Sequence, residues 1–138
     1  MDELKKLVIA HEGLKLKAYR CTANKLTIGV GRNLDDCGIS KDEALIMLDN
    51  DLAESERYLK AYDWWRSVDR VRQEVLIELC FNIGIAKILQ FKNMIKAIHD
   101  KDFESAATNM LDSLWAKQVG PTRSNNMAAR MRNGSYAS

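Results

Sequence analysis

The sequence lacks the features that mark several classes of protein. It has only three cysteines, Cys21, Cys37 and Cys80, an odd number without CxxC spacing, which is typical of a reduced protein rather than a disulfide scaffold. No apolar run approaches the roughly 20 residues that a membrane-spanning helix needs. Residues 1–7 lack the apolar core and cleavage site of a secretory signal. We therefore expect a protein without a stable membrane association that is made in a cytoplasm.

Metal chemistry also has little support in the sequence. The two histidines, His11 and His99, have no ligand spacing with any cysteine or carboxylate. No repeat or long polar linker divides the chain, and its length of 138 residues with 46% hydrophobic content fits one compact globular unit. We expect a single monomeric domain without a metal or other cofactor.

The net charge of +2 is small but unevenly distributed. After Asp112 the chain has no acidic residue, whereas Lys117, Arg123, Arg130 and Arg132 follow. Such a cationic segment can bind an anionic polymer, either nucleic acid or cell wall, or can be an ordinary solvated helix face. The charge alone leaves these alternatives open.

The first segment has the periodicity of a helix. Leu4, Leu7, Val8 and His11 recur at helical spacing, and Asp2 precedes them as a candidate cap. Gly13 is a natural stop for this helix. The pattern predicts a helix over about 2–11 with Glu12 at its C-terminal end.

Most of the remaining chain also predicts helices. Ser40 and Glu43 form a capping box that begins a long helix reaching about Tyr62. A second strong helix runs from about Val71 to Ile83, and Gly84 ends it. Shorter helices are predicted at 86–90, 92–99, 102–111 and 113–118, and after Pro121.

Residues 17–34 differ in character from the rest. Thr27, Val30 and other β-formers alternate with glycines and Asn24, which predicts a small antiparallel sheet with tight turns. The expected fold class is therefore α+β, mostly helical, with one small sheet near the N-terminus.

One segment combines three residue types that carry chemistry. Glu12 is followed nine positions later by Cys21 and six positions after that by Thr27. This spacing, with Leu26-Thr27-Ile28-Gly29-Val30-Gly31 around the threonine, resembles the active-site segment of phage lysozymes of the T-even type. The resemblance implies a lysozyme-like fold of two lobes, with an N-terminal lobe of about 13–59 and a helical lobe of about 60–138 on which helix 2–11 packs. It also implies a long interlobe helix and cleavage of peptidoglycan glycan strands.

Glycoside cleavage requires an acid that protonates the leaving oxygen and a group that stabilises the opposite face or delivers water. The resemblance gives Glu12 the first role, and the negative end of a helix dipole disfavours its ionised form. Cys21 stands where an aspartate is also found in the family, and it can act as a polar thiol or as a thiolate. Thr27 would orient the attacking water. A thiolate attack with retention remains the alternative to a water route with inversion.

The resemblance continues over most of the chain. Arg32 stands where the T-even enzyme has a histidine, and Asp51 stands at its ion-pair aspartate, which implies an Arg32–Asp51 pair. The resemblance also implies that Arg123 approaches Glu12. Leu26, Phe81, Asn82, Trp115, Gln118 and Arg123 are the predicted substrate contacts, with ordinary packing as the alternative for Trp115. Only five residues separate Leu34 from Ser40, which trims a segment that contains a helix in the T-even enzyme.

Three functions follow as hypotheses. The leading one is an endolysin-type muramidase stored in the bacterial host cytoplasm until a separate membrane pore releases it. The second is a catalytically weak peptidoglycan-binding homologue, supported by the cysteine at position 21. The third is a nucleic-acid binder using the basic C-terminal segment, which the low net charge disfavours.

Overall fold

The computed structural model describes residues 2–136, and contacts divide the chain into two compact units, Met1–Met47 and Leu48–Ser138. The sequence prediction placed the boundary near residue 59 and grouped helix 2–11 with the later lobe. The contact division lies within the long helix and leaves the first helix in the first unit, and the predicted lobe bounds stay a prediction. How the lobes assemble remains a prediction.

The first unit begins with a helix and contains the sheet. Its elements, in chain order, are α1 (Glu3–Glu12), β1 (Lys15–Arg20), β2 (Leu26–Gly29), β3 (Arg32–Asn33), α2 (Leu34–Cys37) and the start of α3 (Lys41–Leu59). Asp2 caps α1 by accepting a hydrogen bond from the Lys5 amide at 2.9 Å, and the Gly13 amide closes its other end on the Ile9 carbonyl at 2.8 Å. Both predicted ends of α1 are thus present.

The sheet is antiparallel, in the order β1-β2-β3. In the first ladder Tyr19 lies opposite Thr27, and in the second Thr27 lies opposite Asn33. Thr27 is therefore on the central strand, and its side chain is only 3% exposed. The predicted fold class, mostly helical α+β with one small antiparallel sheet, is confirmed.

The shortened segment after β3 contains one helical turn that the sequence analysis did not predict. Asn33 caps this turn, α2, because its side chain accepts a hydrogen bond from the Asp36 amide at 3.0 Å. The trimmed connection between the sheet and α3 is therefore ordered by a local cap rather than by a longer helix.

The second unit is helical among its described residues. After the remainder of α3 it contains α4 (Asp63–Arg66), α5 (Arg70–Ile83), α6 (Ile85–Ile88), α7 (Lys92–His99), α8 (Phe103–Leu111), α9 (Leu114–Val119) and α10 (Pro121–Asn133). α8 packs on both α7 and α10, and α10 also packs on α5. Ten large side chains are almost wholly enclosed: Leu59, Val75, Leu76, Leu79, Ile88, Met94, Ile98, Met110, Met127 and Met131. None of the helices formed by residues 2–136 is long and apolar enough to cross a bilayer.

Candidate active site

Glu12 is the last residue of α1, and its carboxyl group lies against the turn between β2 and β3. A Cβ atom built on Gly31 would stand 2.7 Å from Glu12 Oε2 and 3.3 Å from its Cδ. The carboxyl group therefore occupies the space that a side chain at position 31 would take. Glu12 itself is exposed, so a bound glycan can reach it.

Cys21 begins the tight turn that joins β1 to β2. Its amide donates to the Lys25 carbonyl at 3.0 Å, and the Asn24 amide donates to the Cys21 carbonyl at 2.8 Å. Hydrogen bonds from the Lys25 and Ala23 backbone, with a smaller contribution from the Thr27 hydroxyl, lower the pKa of the Cys21 thiol below its ordinary value. The thiolate form is therefore more favoured for Cys21 in this turn than for a free cysteine.

The Thr27 hydroxyl lies beside this turn and donates to the Lys25 carbonyl at 2.8 Å. The same carbonyl accepts from the Cys21 amide at 3.0 Å, so the two residues share a partner. A threonine hydroxyl has one proton and two lone pairs, so it can accept a hydrogen bond while it donates to the Lys25 carbonyl. The structure therefore brings Cys21 and Thr27 together, as it brings Glu12 and Gly31 together.

The start of β2 is held by α2. The Leu26 amide donates to Asp35 Oδ2 at 2.7 Å, and the Arg20 guanidinium donates to the same oxygen at 3.2 Å. Asp35 thereby fixes the backbone immediately before Thr27. The predicted contact between Leu26 and substrate remains a prediction.

Arg32 forms a two-point ion pair with Glu43 at the start of α3, with N–O distances of 2.9 and 2.7 Å. Glu43 also accepts from the Ser40 amide at 2.8 Å, while its own amide donates to Ser40 Oγ at 3.1 Å, so the predicted capping box is present. Arg32 and Ser40 together lower the pKa of Glu43 to about 2.

The sequence analysis predicted Asp51 as the partner of Arg32. Asp51 lies in the second unit, and an Arg32–Asp51 pair remains a prediction.

In the second unit, two predicted sugar contacts bind each other. The Trp115 indole N–H donates to Asn82 Oδ1 at 2.8 Å. Trp115 is only 4% exposed, so its indole packs in the core and leaves little surface for a sugar. Because Asn82 is exposed, its amide N–H groups and the second lone pair of its oxygen can bind a ligand. Gln118 is also exposed and lines a pocket of about 320 Å³ with Trp115.

Phe81 and Asp51 line another pocket of the second unit, with a volume of about 230 Å³. Tyr58 and Glu54 line the same pocket, and the Tyr58 hydroxyl donates to Glu54 at 3.0 Å. Aromatic faces beside carboxylate oxygens are groups that a sugar ring can contact. The prediction for Phe81 is consistent with this pocket but is not tested by it.

Arg123 binds a residue that sequence reasoning missed. Its Nε donates to Glu78 Oε2 at 3.2 Å, and the buried Arg130 donates to the other oxygen of Glu78. Glu78 therefore joins α5 to two points of α10. The predicted approach of Arg123 to Glu12 stays a prediction.

Among residues 2–136 no group of three or more His, Cys, Asp or Glu side chains is arranged to hold a metal ion.

Comparisons with known proteins define the class. The profile of the phage lysozyme family matches residues 9–133, which is most of the chain and indicates a lysozyme-type glycoside hydrolase. The chain belongs to the phage lysozyme family.

Its relatives are distant in sequence. It is 25% identical over 164 residues to a probable T4-type lysozyme 1 of Dictyostelium discoideum, an alignment that covers 97% of this chain and 96% of the relative. It is 27% identical over 115 residues to an endolysin of Acyrthosiphon pisum secondary endosymbiont phage 1, covering 80% of this chain and 75% of that protein. The pre-baseplate central spike protein Gp5 of Enterobacteria phage T4 is 28% identical over 137 residues. That alignment covers 78% of this chain and only 24% of the spike protein.

Proposed function

We propose that the protein is an endolysin-type muramidase that hydrolyses the β-1,4 bond between N-acetylmuramic acid and N-acetylglucosamine. The observation that carries the proposal is the Lys25 carbonyl, which accepts from both the Cys21 amide at 3.0 Å and the Thr27 hydroxyl at 2.8 Å, beside the small sheet whose Gly31 lies against Glu12. An acid at a helix end and a thiol–hydroxyl pair that can hold water are the two halves of a glycoside hydrolysis site.

In the proposed reaction Glu12 gives its proton to the glycosidic oxygen as the bond to the sugar C1 breaks. A water molecule that donates a hydrogen bond to the Thr27 hydroxyl attacks C1. The Cys21 thiolate takes the proton that this water loses. Proton return from Cys21 to Glu12 through solvent restores the starting state. The α-anomer should form first on this route, whereas direct attack by the thiolate would give the β-anomer through a covalent intermediate.

The second unit supplies the proposed sugar contacts. Asn82 is the best supported, because the hydrogen bond from Trp115 fixes its amide. Phe81, Gln118 and Leu26 are further proposed contacts, and Trp115 is proposed to act through Asn82. Arg123 keeps its proposed role near the acid, with its observed ion pair to Glu78 as the competing interaction.

The arginines of α10 support a glycan substrate over nucleic acid. Arg123 and Arg130 pair with Glu78, and Arg132 pairs with Glu104 at 2.8 Å. Guanidinium groups that are already paired contribute less to binding phosphates. We further propose that the protein acts as a monomer and reaches the cell wall from the host cytoplasm through a separate membrane pore.

The test is digestion of purified peptidoglycan, followed by borodeuteride reduction and mass spectrometry of the released fragments. Wild type should place deuterium on N-acetylmuramic acid, and Glu12→Gln should release at least about a hundredfold less. Glu3→Gln, in the first turn of the same helix, is the matched control and should behave as wild type. Label on N-acetylglucosamine, an anhydromuramic product, or equal activity of Glu12→Gln would contradict the proposal. If the wild type binds peptidoglycan but releases no fragments, the alternative of a catalytically weak homologue would be supported.

A further inference from the structure

Two glycines flank Val30 where the chain turns from β2 to β3, Gly29 at the end of β2 and Gly31 before β3, and they have the same φ angle. Gly29 and Gly31 each have φ of +69°, a region that residues with a Cβ adopt at a cost. Their surroundings differ. A Cβ at Gly29 would meet nothing within 4 Å, whereas a Cβ at Gly31 would meet Glu12 at 2.7 Å. The turn geometry therefore explains why both positions are glycine, but it does not explain the contact with Glu12.

From this difference we infer that Gly31 is a positioning residue for Glu12. The Cα face of Gly31 is one wall of the space in which the carboxyl group lies, and the absence of a side chain there sets the position of the acid. The inference rests on the proposed function, because it matters for activity only if Glu12 is the acid.

The contact extends along the glutamate side chain. The position of a Cβ at residue 31 lies 2.7 Å from Oε2, 3.3 Å from Cδ and 3.5 Å from the Cβ of Glu12. The closest of these is tighter than carbon–oxygen contacts in proteins allow, so one partner has to move. The atom that can move at little cost is the end of the flexible glutamate side chain rather than the sheet backbone.

The consequence for catalysis is larger than the consequence for folding. A catalytic group has to stay within about 0.5 Å of its productive position, and a misplacement of about 1 Å can reduce the rate a hundredfold. A methyl group at position 31 would therefore leave the sheet in place while displacing the acid from the glycosidic oxygen.

The experiment compares Gly31→Ala with Gly29→Ala, two changes that add the same methyl group at the same φ. On soluble uncrosslinked glycan strands, kcat of Gly31→Ala should fall about a hundredfold with little change in KM, while Gly29→Ala should stay within a few-fold of wild type. Equal kcat values for the two variants would overturn the inference.

A double-mutant cycle with Glu12→Ala tests the contact without reference to activity. Gly31→Ala should lower the thermal midpoint only slightly more than Gly29→Ala does, because the glutamate end moves at little cost, and this small excess should vanish in the Glu12→Ala background where the colliding carboxyl is gone. If Gly31→Ala fails to fold, the Glu12→Ala/Gly31→Ala protein should recover folding. An excess that persists without the carboxyl would overturn the inference. A wild type without muramidase activity would instead refute the proposed function, and the cycle would still show whether Gly31 and Glu12 interact.

Discussion

The two compact units are held together internally by different kinds of interaction. In the second unit the enclosed hydrophobic side chains run from Leu59 to Met131. Among residues 2–47, by contrast, Thr27 alone is buried. The first unit is ordered instead by hydrogen bonds and ion pairs, such as Arg32 with Glu43 and Asp35 with the Leu26 amide.

This difference has a consequence for how the two units respond to change. A hydrophobic core is sensitive to lost volume, whereas a small sheet tied by charged side chains is sensitive to pH and to polar substitutions. The proposed catalytic residues Glu12, Cys21 and Thr27 all lie in the second kind of environment. Glu12 is exposed, Cys21 is half-buried and Thr27 is buried, so the proposed site is built on a hydrogen-bonded sheet and not on a hydrophobic core.

The largest effect on stability is expected from the core. Leu76, on α5, is completely enclosed, and Leu76→Ala should lower the free energy of unfolding by about 2–5 kcal/mol. Leu16, on β1, is 85% exposed, and Leu16→Ala should change it by less than about 0.5 kcal/mol. Urea unfolding monitored by circular dichroism measures both. Similar losses for the two variants would refute the contrast between the units.

A second effect separates the three cysteines. Cys21 is half-buried and the pKa of its thiol is lowered by hydrogen bonds, whereas Cys80 is buried and that burial raises the pKa of its thiol. Iodoacetamide at neutral pH should therefore modify Cys21 well before Cys80. In a Cys37→Ser protein, where the half-buried Cys21 and the buried Cys80 remain, modification of Cys21 should reduce activity by about a hundredfold. Peptide mass spectrometry alongside the activity assay follows both.

The matched variant for this experiment is Cys21→Asp, which restores the other residue found in the family. It should keep activity and become insensitive to iodoacetamide. Loss of activity in step with modification of Cys80, or full activity after modification of Cys21, would rule out the proposed role of the thiol.

The smallest effect concerns the Arg32–Glu43 pair. The pKa of Glu43 is lowered from about 4.5 to about 2, so its ionised form is favoured by folding. Its contribution to stability is present above about pH 4.5 and is lost as the pH falls toward 2. Glu43→Gln should therefore lower the thermal midpoint at pH 6 and flatten its decline between these pH values. Asp42→Asn, one position earlier in the same helix turn, should keep the wild-type slope, and an equally steep decline in Glu43→Gln would contradict the assignment.

Local signals in the sequence predicted much of the fold. The ends of α1, the Ser40–Glu43 capping box and the end of α5 at Gly84 each depend on residues within about one turn of each other. The short helices α7, α8 and α9 begin and end within one residue of the predicted ranges. The one-turn helices α2 and α4 were missed, whereas the equally short α6 was predicted at 86–90, because four residues carry only a weak periodic signal.

Long-range pairings were harder to predict. Glu78 meets Arg123 and Arg130 across separations of 45 and 52 residues, and no spacing rule connects them. The sequence identified Glu43 as a residue of the capping box. Nothing in that pattern indicates that its carboxylate also binds Arg32, so this ion pair was missed. The family resemblance located the candidate acid, thiol and hydroxyl, while the support of Glu12 by Gly31 became visible only with the coordinates.

The most direct test of the account compares two isosteric changes, Glu12→Gln in the first unit and Glu78→Gln in the second. Each variant is assayed for muropeptide release and for thermal unfolding. Glu12→Gln should lose activity by at least about a hundredfold and keep the wild-type midpoint. Glu78→Gln removes the charge beside Arg123 and the buried Arg130, so its midpoint should fall while its activity per folded molecule changes far less than that of Glu12→Gln. The opposite pattern, or full activity in Glu12→Gln, would contradict the claim that the first unit carries the chemistry and the second carries the stability.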